Sequence, residues 1–289
     1  MLPLGSRGKR RRVGTTVARR TVDRRIVLTV RDGVVSRRPD ALAGEEPMEI
    51  RVNGEAVSVT MRTPGSDFEL ALGFCLTEGI VAEPAQVQAI RYCVGDEVQQ
   101  YNVVDVRLVD PTPVPASLRR NVYTTSSCGL CGTASIEAVR KVVPDVSGDG
   151  LRVPADVLSQ LPERLREAQR VFDRTGGLHA AALFTAEGRL VRLQEDVGRH
   201  NAVDKLLGWA ATRRRLPLTG HVLMVSGRIA FEIAQKALVA GAPMVVAVSA
   251  PSSLAVELAE SAGMTLVGFL RGSSMNVYTG AERVVTPVA

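Results

Sequence analysis

The chain has 289 residues, of which 45% are hydrophobic, 23% are charged and only 4% are aromatic. A hydrophobic fraction of this size excludes a disordered chain, and the longest unbroken apolar stretch, residues 242–248, is far too short to span a bilayer. With six Phe, four Tyr and one Trp, base-stacking platforms for single-stranded nucleic acid are not expected. We therefore expect a soluble globular protein with an aliphatic core and no membrane contact.

The formal net charge of +6 is concentrated at the N-terminus. Residues 1–25 contain nine Arg or Lys and a single acidic residue, Asp23, whereas the remaining chain has 27 basic and 29 acidic side chains. Such a run predicts a basic flexible tail with nonspecific affinity for polyanions, and no specific nucleic-acid partner. No apolar segment of the secretory type follows the arginines, so we expect a cytoplasmic protein.

The first part of the chain predicts a small α+β domain over residues 26–115. An Asn53-Gly54 pair between alternating residues is typical of a hairpin turn, and Asp67 is placed to cap a helix. A proline cluster at residues 111–115 marks the predicted edge of this domain. The predicted strands span residues 26–30, 48–52, 56–61 and 101–109, and the predicted helix spans residues 68–77.

The second part predicts a layered α/β domain over residues 116–289. Continuous apolar strands alternate there with amphipathic helices, which favours a largely parallel sheet covered by helices. Helices are predicted at 134–143, 154–172, 199–211, 229–240 and 252–262. Strands are predicted at 180–184, 189–194, 221–225, 244–248 and 264–269.

A glycine-flanked Cys-x-x-Cys pair, Cys128 and Cys131, is the clearest chemical motif. It precedes the predicted helix at 134–143, and a helix N-terminus lowers the pKa of a nearby thiol. A structural zinc site would need two further ligands at suitable spacing, and no second Cys-x-x-Cys or His-x-x-His is present. The pattern therefore favours thiol chemistry over zinc binding. Cys75 and Cys93 lie among apolar residues and are assigned no role.

Three predicted strands of the second domain end in residues suited to binding an anion. Ser226-Gly227-Arg228, Ser249 and residues 269–274 follow these strands, and the carboxyl ends of parallel strands lie at one edge of a sheet. This predicts a shared crevice for a phosphorylated or nucleotide ligand, although helix capping explains each segment alone. No GxxxxGK[ST] or GxGxxG loop is present, which disfavours an NTPase or a dinucleotide dehydrogenase.

The polar run Glu195–Lys205 supports two interpretations. Asp196 and Asn201 are placed to cap the helix at 199–211, while Arg199 and Lys205 are placed to offer cations to a phosphate. A capped helix start with exposed charges is an equally good account of the same residues.

Together these motifs resemble the FdhD family of formate dehydrogenase accessory sulfurtransferases, over about residues 46–279. The blocks that carry the resemblance are Val52-Asn53-Gly54, Met61-Arg62-Thr63-Pro64, Cys128-Gly129-Leu130-Cys131-Gly132, Gly177-Leu178-His179-Ala180-Ala181, Glu195-Asp196-Val197-Gly198-Arg199-His200-Asn201, Ser226-Gly227-Arg228, Val248-Ser249-Ala250-Pro251 and Gly268-Phe269-Leu270-Arg271-Gly272.

The resemblance implies a sulfur carrier, that is, a sulfurtransferase acting through a cysteine persulfide. A cysteine desulfurase would load Cys128, Cys131 would assist transfer, and the sulfur would pass to the bis(molybdopterin guanine dinucleotide) cofactor of formate dehydrogenase. The implied cofactor-binding residues are Phe269, Leu270, Arg271, Gly272, Ser273 and Ser274, with GDP as a mimic of the cofactor. The resemblance also implies a homodimer and a cytidine-deaminase-like second domain. No bound zinc is expected, since the His-x-Glu signature of the zinc deaminases is absent.

Two other function classes remain open at the level of the sequence. A cytosolic thiol-disulfide oxidoreductase would cycle Cys128 and Cys131 through a disulfide without any molybdopterin. A noncatalytic chaperone would bind the cofactor or the apoenzyme and would not need the thiols.

Overall fold

The computed structural model describes residues 20–93, 101–110 and 143–286. Their strands are β1 (Val22–Arg31), β2 (Val34–Ala43), β3 (Glu46–Val52), β4 (Glu55–Arg62), β5 (Val87–Tyr92), β6 (Val103–Leu108), β7 (Val153–Pro154), β8 (His179–Thr185), β9 (Leu190–Asp196), β10 (His221–Val225), β11 (Met244–Ala247), β12 (Thr265–Arg271), β13 (Ser274–Thr279) and β14 (Val284–Val285). Their α-helices are α1 (Asp67–Thr77), α2 (Ala155–Ala168), α3 (Arg170–Thr175), α4 (Arg199–Thr212), α5 (Phe231–Val239) and α6 (Ser253–Ser261).

The first sheet has four strands in the order β4-β3-β6-β5, and α1 packs against it. The predicted Asn53-Gly54 turn joins β3 to β4, and both residues have positive φ values, 50° and 86°, as a two-residue hairpin turn requires. The side chains of Met48, Ile50 and Val52 alternate inward from β3 and are fully buried with the apolar face of α1.

The second sheet has six strands in the order β13-β12-β11-β10-β8-β9. Its central strands β10, β11 and β12 are parallel, whereas β8, β9 and β13 run antiparallel to their neighbours. The sheet is therefore mixed, and the prediction of a largely parallel sheet was wrong for its two flanks. The predicted strand and helix alternation from residue 221 onward is confirmed, which gives the α/β class.

Helices cover both faces of the six-stranded sheet. Successive residues of a strand face opposite sides, so each central strand buries side chains on both faces. Leu223 and Val225 of β10 are buried on the side of α4, α5 and α6. Val222 and Met224 are buried on the opposite side, against the leucines of α2. The sheet is the middle layer of a three-layer α/β arrangement.

The two parts of the chain meet where α1 crosses α4 at two glycines. A Cβ atom built on Gly73 would lie 1.9 Å from the carbonyl oxygen of Asp204, and one on Gly208 would lie 1.8 Å from that of Glu69. Neither position has room for a side chain, because real Cβ atoms essentially never lie within 3.0 Å of such a neighbour. The backbones of the two helices are thus in direct contact. This contact fixes α1, and the four-stranded sheet with it, against the helices that cover the six-stranded sheet.

Other features of the fold also differ from the prediction. The first strand begins at Val22, inside the range 1–25 assigned to the flexible tail, and it pairs with β2. Strand β2 was missed because its sequence is mostly exposed and has no regular apolar alternation. The predicted helix at 154–172 is two helices, since Glu195 accepts hydrogen bonds from the amides of Val171 (3.0 Å) and Phe172 (2.8 Å) and so starts α3 separately.

The remaining predictions on the fold stay predictions. The proline cluster at 111–115 lies outside the described residues, and so does the predicted helix at 134–143 except for its last residue. The domain boundaries 26–115 and 116–289 and the cytidine-deaminase-like character of the second domain are likewise expectations. Within the parts of the chain that the structure describes, no helix is long and apolar enough to cross a membrane.

Candidate functional site

The carboxyl ends of the three parallel strands lie side by side, as the sequence predicted. The amide of Phe269, near the end of β12, donates to the carbonyl of Ser249 after β11 (3.2 Å). The amide of Ile229, after β10, donates to the carbonyl of Ala250 (3.2 Å). Ser226 completes the row, since its amide donates to the carbonyl of Ala180 on β8 (3.0 Å). We call this row of strand ends the crevice.

Strand β12 is distorted at the crevice. Its pairing with β13 shifts register between Gly268 and Arg271, and Phe269 has a φ of 51°, in the left-handed region that few side chains adopt. Bulges and strained residues of this kind occur often beside functional sites, where they redirect side chains. Here the distortion leaves the Phe269 side chain 40% exposed, although it belongs to the central sheet.

The six residues predicted to bind the cofactor do not share one environment. Leu270 is fully buried against the α2 side of the sheet, so only its backbone is available to a ligand. The side chains of Arg271, Ser273 and Ser274 are exposed. The Nε atom of Arg271 donates to the carbonyl of Val248 (3.1 Å), which ties the guanidinium to the end of β11. Beside it, Gly272 has a φ of 53° and open space where a side chain would be. An exposed fork of donors beside open backbone suits a phosphate group.

Sequence reasoning gave no role to His179, which the structure places at the crevice. His179 begins β8, and its Nδ1 atom is 3.4 Å from the point where a Cβ on Gly227 would be. Arg199 is the first residue of α4, and its Cδ atom lies 3.9 Å from the same point. Burial lowers the pKa of His179, and the charge of Arg199 lowers it further, while Asp196 opposes both effects. The imidazole is therefore neutral near pH 7 and able to accept a proton or a hydrogen bond.

The polar run Glu195–Lys205, for which two interpretations were open, is mainly structural. Asp196 is fully buried, and its carboxylate accepts hydrogen bonds from the amides of Thr63 (3.1 Å) and Gly198 (2.8 Å) and from Asn201 Nδ2 (3.1 Å). Lys205 Nζ lies 2.7 Å from the same carboxylate and is also buried. The prediction that Lys205 offers a cation to a phosphate was wrong, because its charge is already paired inside the protein. Of the two cations proposed to bind phosphate, Arg199 and Lys205, it is Arg199 that borders the crevice.

The cysteines fall into two groups. Cys128 and Cys131 lie outside the described residues, so their placement beside a helix start stays a prediction. Cys75 is fully buried in the core of α1, where burial raises the pKa of its thiol well above the ordinary value. A buried, protonated thiol is a poor nucleophile, which agrees with the absence of a predicted role for Cys75. Cys93 is exposed at the end of β5.

Comparison with known proteins decides the family. The sequence model of the FdhD/NarQ family matches residues 43–285, which is most of the chain. The chain belongs to the FdhD/NarQ family. The match contains the Cys-x-x-Cys pair, the crevice, the four-stranded sheet and the six-stranded sheet, so the resemblance seen in the sequence motifs is confirmed.

Several curated relatives of this FdhD/NarQ chain are named sulfur carrier protein FdhD. The relative from Streptomyces coelicolor is 59% identical and covers 93% of this chain and 98% of its own length. The relative from Mycobacterium tuberculosis is 55% identical, over 91% of this chain and 98% of its own. The relative from Sulfurisphaera tokodaii is 44% identical, over 90% of this chain and 97% of its own length.

A solved structure has the same fold as this FdhD/NarQ chain. The crystal structure of a candidate formate dehydrogenase accessory protein from Desulfotalea psychrophila superimposes with a TM-score of 0.72 at 22% sequence identity. It covers 92% of this chain and 100% of the crystallised one. At this identity the comparison establishes the fold alone.

Proposed function

We propose that this protein is a sulfur carrier that passes persulfide sulfur from a cysteine desulfurase to the bis(molybdopterin guanine dinucleotide) cofactor required by formate dehydrogenase. The observation that carries the proposal is the 44–59% identity, along nearly the whole chain, to proteins named sulfur carriers. The Cys-x-x-Cys pair inside the matched region supplies the chemical group that such a carrier needs. We expect the protein to work in the cytoplasm as a homodimer.

The first step is the loading of Cys128. Its thiolate attacks the outer sulfur of the desulfurase persulfide, so a new S–S bond forms on Cys128 while the donor S–S bond breaks and the donor cysteine leaves as a thiolate. No net oxidation occurs, because one persulfide replaces another. The thiolate form of Cys128 is the reactive one, and Gly129, next to it in the sequence, has no side chain that would hinder a partner protein.

The second step is release of the carried sulfur, in which Cys131 takes part. The thiolate of Cys131 attacks the inner sulfur of the Cys128 persulfide, the outer sulfur departs as hydrosulfide, and the two cysteines become a disulfide. The pair supplies the two electrons that reduce the sulfur, and a cellular dithiol must reduce the disulfide before the next cycle. The cofactor is the substrate that receives the sulfur.

The crevice is the part of the described structure that suits the cofactor. Each guanine dinucleotide arm carries a diphosphate, and Arg271 offers two or more N–H donors beside the open backbone at Gly272. The hydroxyl of Ser226 accepts from the amide of Ala180 (2.9 Å) and keeps its own proton to donate. Arg199 adds a second cation at the other end of the row. These residues support binding of the phosphate groups without any contribution from Lys205.

Intact mass spectrometry tests the proposal directly. The protein is incubated with a cysteine desulfurase and cysteine, and its mass is compared with that of the Cys128→Ser variant. We expect the wild-type protein to gain one sulfur atom that a reductant removes, and Cys128→Ser to gain none. Cys75→Ser is the matched control, because this buried thiol should not be loaded. An unmodified wild-type protein that forms only the Cys128–Cys131 disulfide would favour a thiol-disulfide oxidoreductase instead.

A further inference from the structure

The side chains of His179 and Arg199 meet at one point of the crevice. The Nδ1 atom of His179 and the Cδ atom of Arg199 lie 3.4 and 3.9 Å from the position that a Cβ on Gly227 would take. An arginine side chain loses much rotamer freedom when a ligand immobilises it, so a fixed backbone lowers the cost of binding. Whatever fixes the backbone at Arg199 therefore contributes to the site.

A single carboxylate oxygen holds the chain on both sides of Arg199. Asp196 Oδ1 accepts a hydrogen bond from the amide of Gly198 (2.8 Å), the residue before Arg199, and another from Asn201 Nδ2 (3.1 Å), two residues after it. Gly198 is the N-cap residue of α4 and has no side chain with which to cap the helix. The start of α4 is thus held by the Asp196 carboxylate.

The other oxygen of Asp196 reaches the four-stranded sheet. Asp196 Oδ2 accepts from the amide of Thr63 (3.1 Å), directly after β4. Asn201 Nδ2 adds a second link, since it also donates to the carbonyl of Met61 (2.7 Å) in β4. The start of α4 is therefore held from both sheets of the protein, and the position of Arg199 depends on both.

The same carboxylate lies next to His179 without leaving a free negative charge. Asp196 is directly opposite His179 in the ladder of β8 and β9. A bare carboxylate at this place would repel an anionic ligand of the crevice. Lys205 Nζ lies 2.7 Å from Asp196 Oδ2, and both side chains are buried, so the pair is neutral overall. Asp196 can hold its neighbours in place without cancelling the charge of Arg199.

We propose that Asp196 is a positioning residue of the crevice, which holds Arg199 beside Gly227 in the arrangement that binds a phosphate group of the ligand. This inference rests on the proposed binding of a guanine nucleotide at the crevice. A purely structural role, in which Asp196 only stabilises the junction of the two sheets, is the competing account. The two accounts differ in one respect. If Asp196 is a positioning residue, its effect on affinity passes through Arg199.

A double-mutant cycle with GDP as the probe separates the two accounts. Arg199→Ala should weaken GDP binding about ten- to hundredfold in isothermal titration calorimetry. Asp196→Ala/Lys205→Met should weaken it about tenfold, and the lysine is replaced so that no buried ammonium group stays unpaired. In a protein that already carries Arg199→Ala, the same two changes should alter the Kd by less than about threefold, because the residue that they misplace is gone.

Gly198→Ala is a second variant, which keeps every buried charge. Its Cβ atom would lie 3.1 Å from Asn201 Nδ2 and 3.4 Å from Asp196 Oδ1, so these groups must shift by a few tenths of an ångström. We expect a loss of GDP affinity of about threefold when Arg199 is present, and none when it is absent. This variant keeps the test decisive if Asp196→Ala/Lys205→Met does not fold.

Asp105→Ala/Arg107→Met is the matched control. Asp105 is also buried and lies 2.6 Å from Arg107 Nε, but this pair is on β6 of the four-stranded sheet. The control should lower the melting temperature measured by circular dichroism and leave the Kd for GDP unchanged. An equal loss of affinity from the Asp196 changes with and without Arg199, or no loss at all, would overturn the inference.

Arg271→Ala distinguishes a failure of the inference from a failure of the proposed function. If Arg271→Ala weakens GDP binding and Arg199→Ala does not, the nucleotide binds at the crevice but Asp196 does not act through Arg199. If neither change weakens binding, the crevice is not the nucleotide site, and the inference fails together with the proposal on which it rests.

Discussion

The ammonium group of Lys236 lies 2.8 and 2.9 Å from the two carboxylate oxygens of Asp204, and both side chains are buried. Thr77 of α1 completes the group, since its hydroxyl is 2.7 Å from Lys236 Nζ and 2.8 Å from Asp204 Oδ1. Burial raises the pKa of Asp204, and the neighbouring Lys236 opposes that rise. Together these groups join three helices, α1, α4 and α5, where the four-stranded sheet with its helix meets the helices of the six-stranded sheet.

Lys236→Met should destabilise the protein by about 3–5 kcal/mol, because it leaves the Asp204 carboxylate buried without its partner. Urea denaturation at pH 7 measures the change in the free energy of unfolding. The double variant Lys236→Met/Asp204→Leu is the control, and it should recover much of the loss because the fully buried Asp204 charge is gone. Glu78, which lies 3.2 Å from Lys236 Nζ in the wild-type protein, is less deeply buried and stays in both variants. A loss that is equal in the single and double variants would contradict this account.

Gly208→Ala should destabilise the protein by at least the roughly 1–3 kcal/mol typical of overpacking, because its Cβ atom would meet the Glu69 carbonyl. Gly148→Ala is the matched control, since nothing lies within 4 Å of its Cβ position and its φ is not positive. That variant should be neutral or stabilising by up to about 1 kcal/mol. Thermal melting of both variants checks the prediction, and similar melting temperatures would disprove the direct helix contact.

His179 should make the protein less stable as the pH falls. Its pKa is lowered in the folded state, so the unfolded chain takes up the proton first and unfolding becomes more favourable as the pH drops through about 6.5. The stability that His179 contributes is thus present at pH 8 and declines toward pH 5. Urea denaturation across this range should show a smaller decline for His179→Asn than for the wild-type protein. Parallel curves for the two proteins would mean that the pKa of His179 is not lowered in the folded state.

Arg271→Ala should weaken GDP binding about ten- to hundredfold, since a charge-assisted hydrogen bond to phosphate contributes about 1.5–3 kcal/mol. Isothermal titration calorimetry measures the Kd. Arg213→Ala is the matched control, because this exposed arginine follows α4 at the end away from the crevice. Persulfide loading of Cys128 should be unchanged in both variants. Equal GDP affinity for Arg271→Ala and wild type would place the nucleotide elsewhere.

Cys128→Ala should abolish formate dehydrogenase maturation in cells that contain only this variant, while the protein stays folded. A thiol on a glycine-rich segment contributes little to packing, so the melting temperature should be within error of the wild-type value. Formate dehydrogenase activity in extracts is the measurement. Normal activity with Cys128→Ala would rule out the proposed carrier cysteine.

The parts of the fold that follow a strong local pattern were predictable from the sequence. The strand His221–Val225 has the predicted bounds, because it is a continuous apolar run that is buried on both faces. The bounds of α4 agree with the prediction to within one residue. Strands β13 and β2 were missed. β2 is almost entirely exposed, and the inward residues of β13, such as Met275 and Val277, are only half buried, so the apolar signal of both strands is weak. The β13 edge of the six-stranded sheet and the strand β2 of the separate hairpin therefore could not be predicted from the apolar pattern.

The candidate site was predicted in part, for a similar reason. Adjacent strand ends at Ser226, Ser249 and Phe269 follow from the topology of parallel strands, which the alternation of strands and helices indicates. The roles of Lys205 and His179 depend on residues far away in the sequence. Lys205 is paired with Asp196 and also donates to the carbonyl of Thr63 (2.7 Å), 142 positions away. Local composition does not report such contacts.

The contact of α1 with α4 also has a consequence for synthesis of the chain on the ribosome. Thr77 and Asp204 are 127 positions apart, and the side of α1 that carries Gly73 and Thr77 finds its partners on α4 and α5. The first sheet leaves the ribosome with a helix whose glycine-lined side has nothing to pack against. Folding of the N-terminal layer is therefore completed only after the second half is made, and contacts of such long sequence separation form slowly. A pause in translation before residue 204 would prolong exposure of that helix surface to chaperones and proteases.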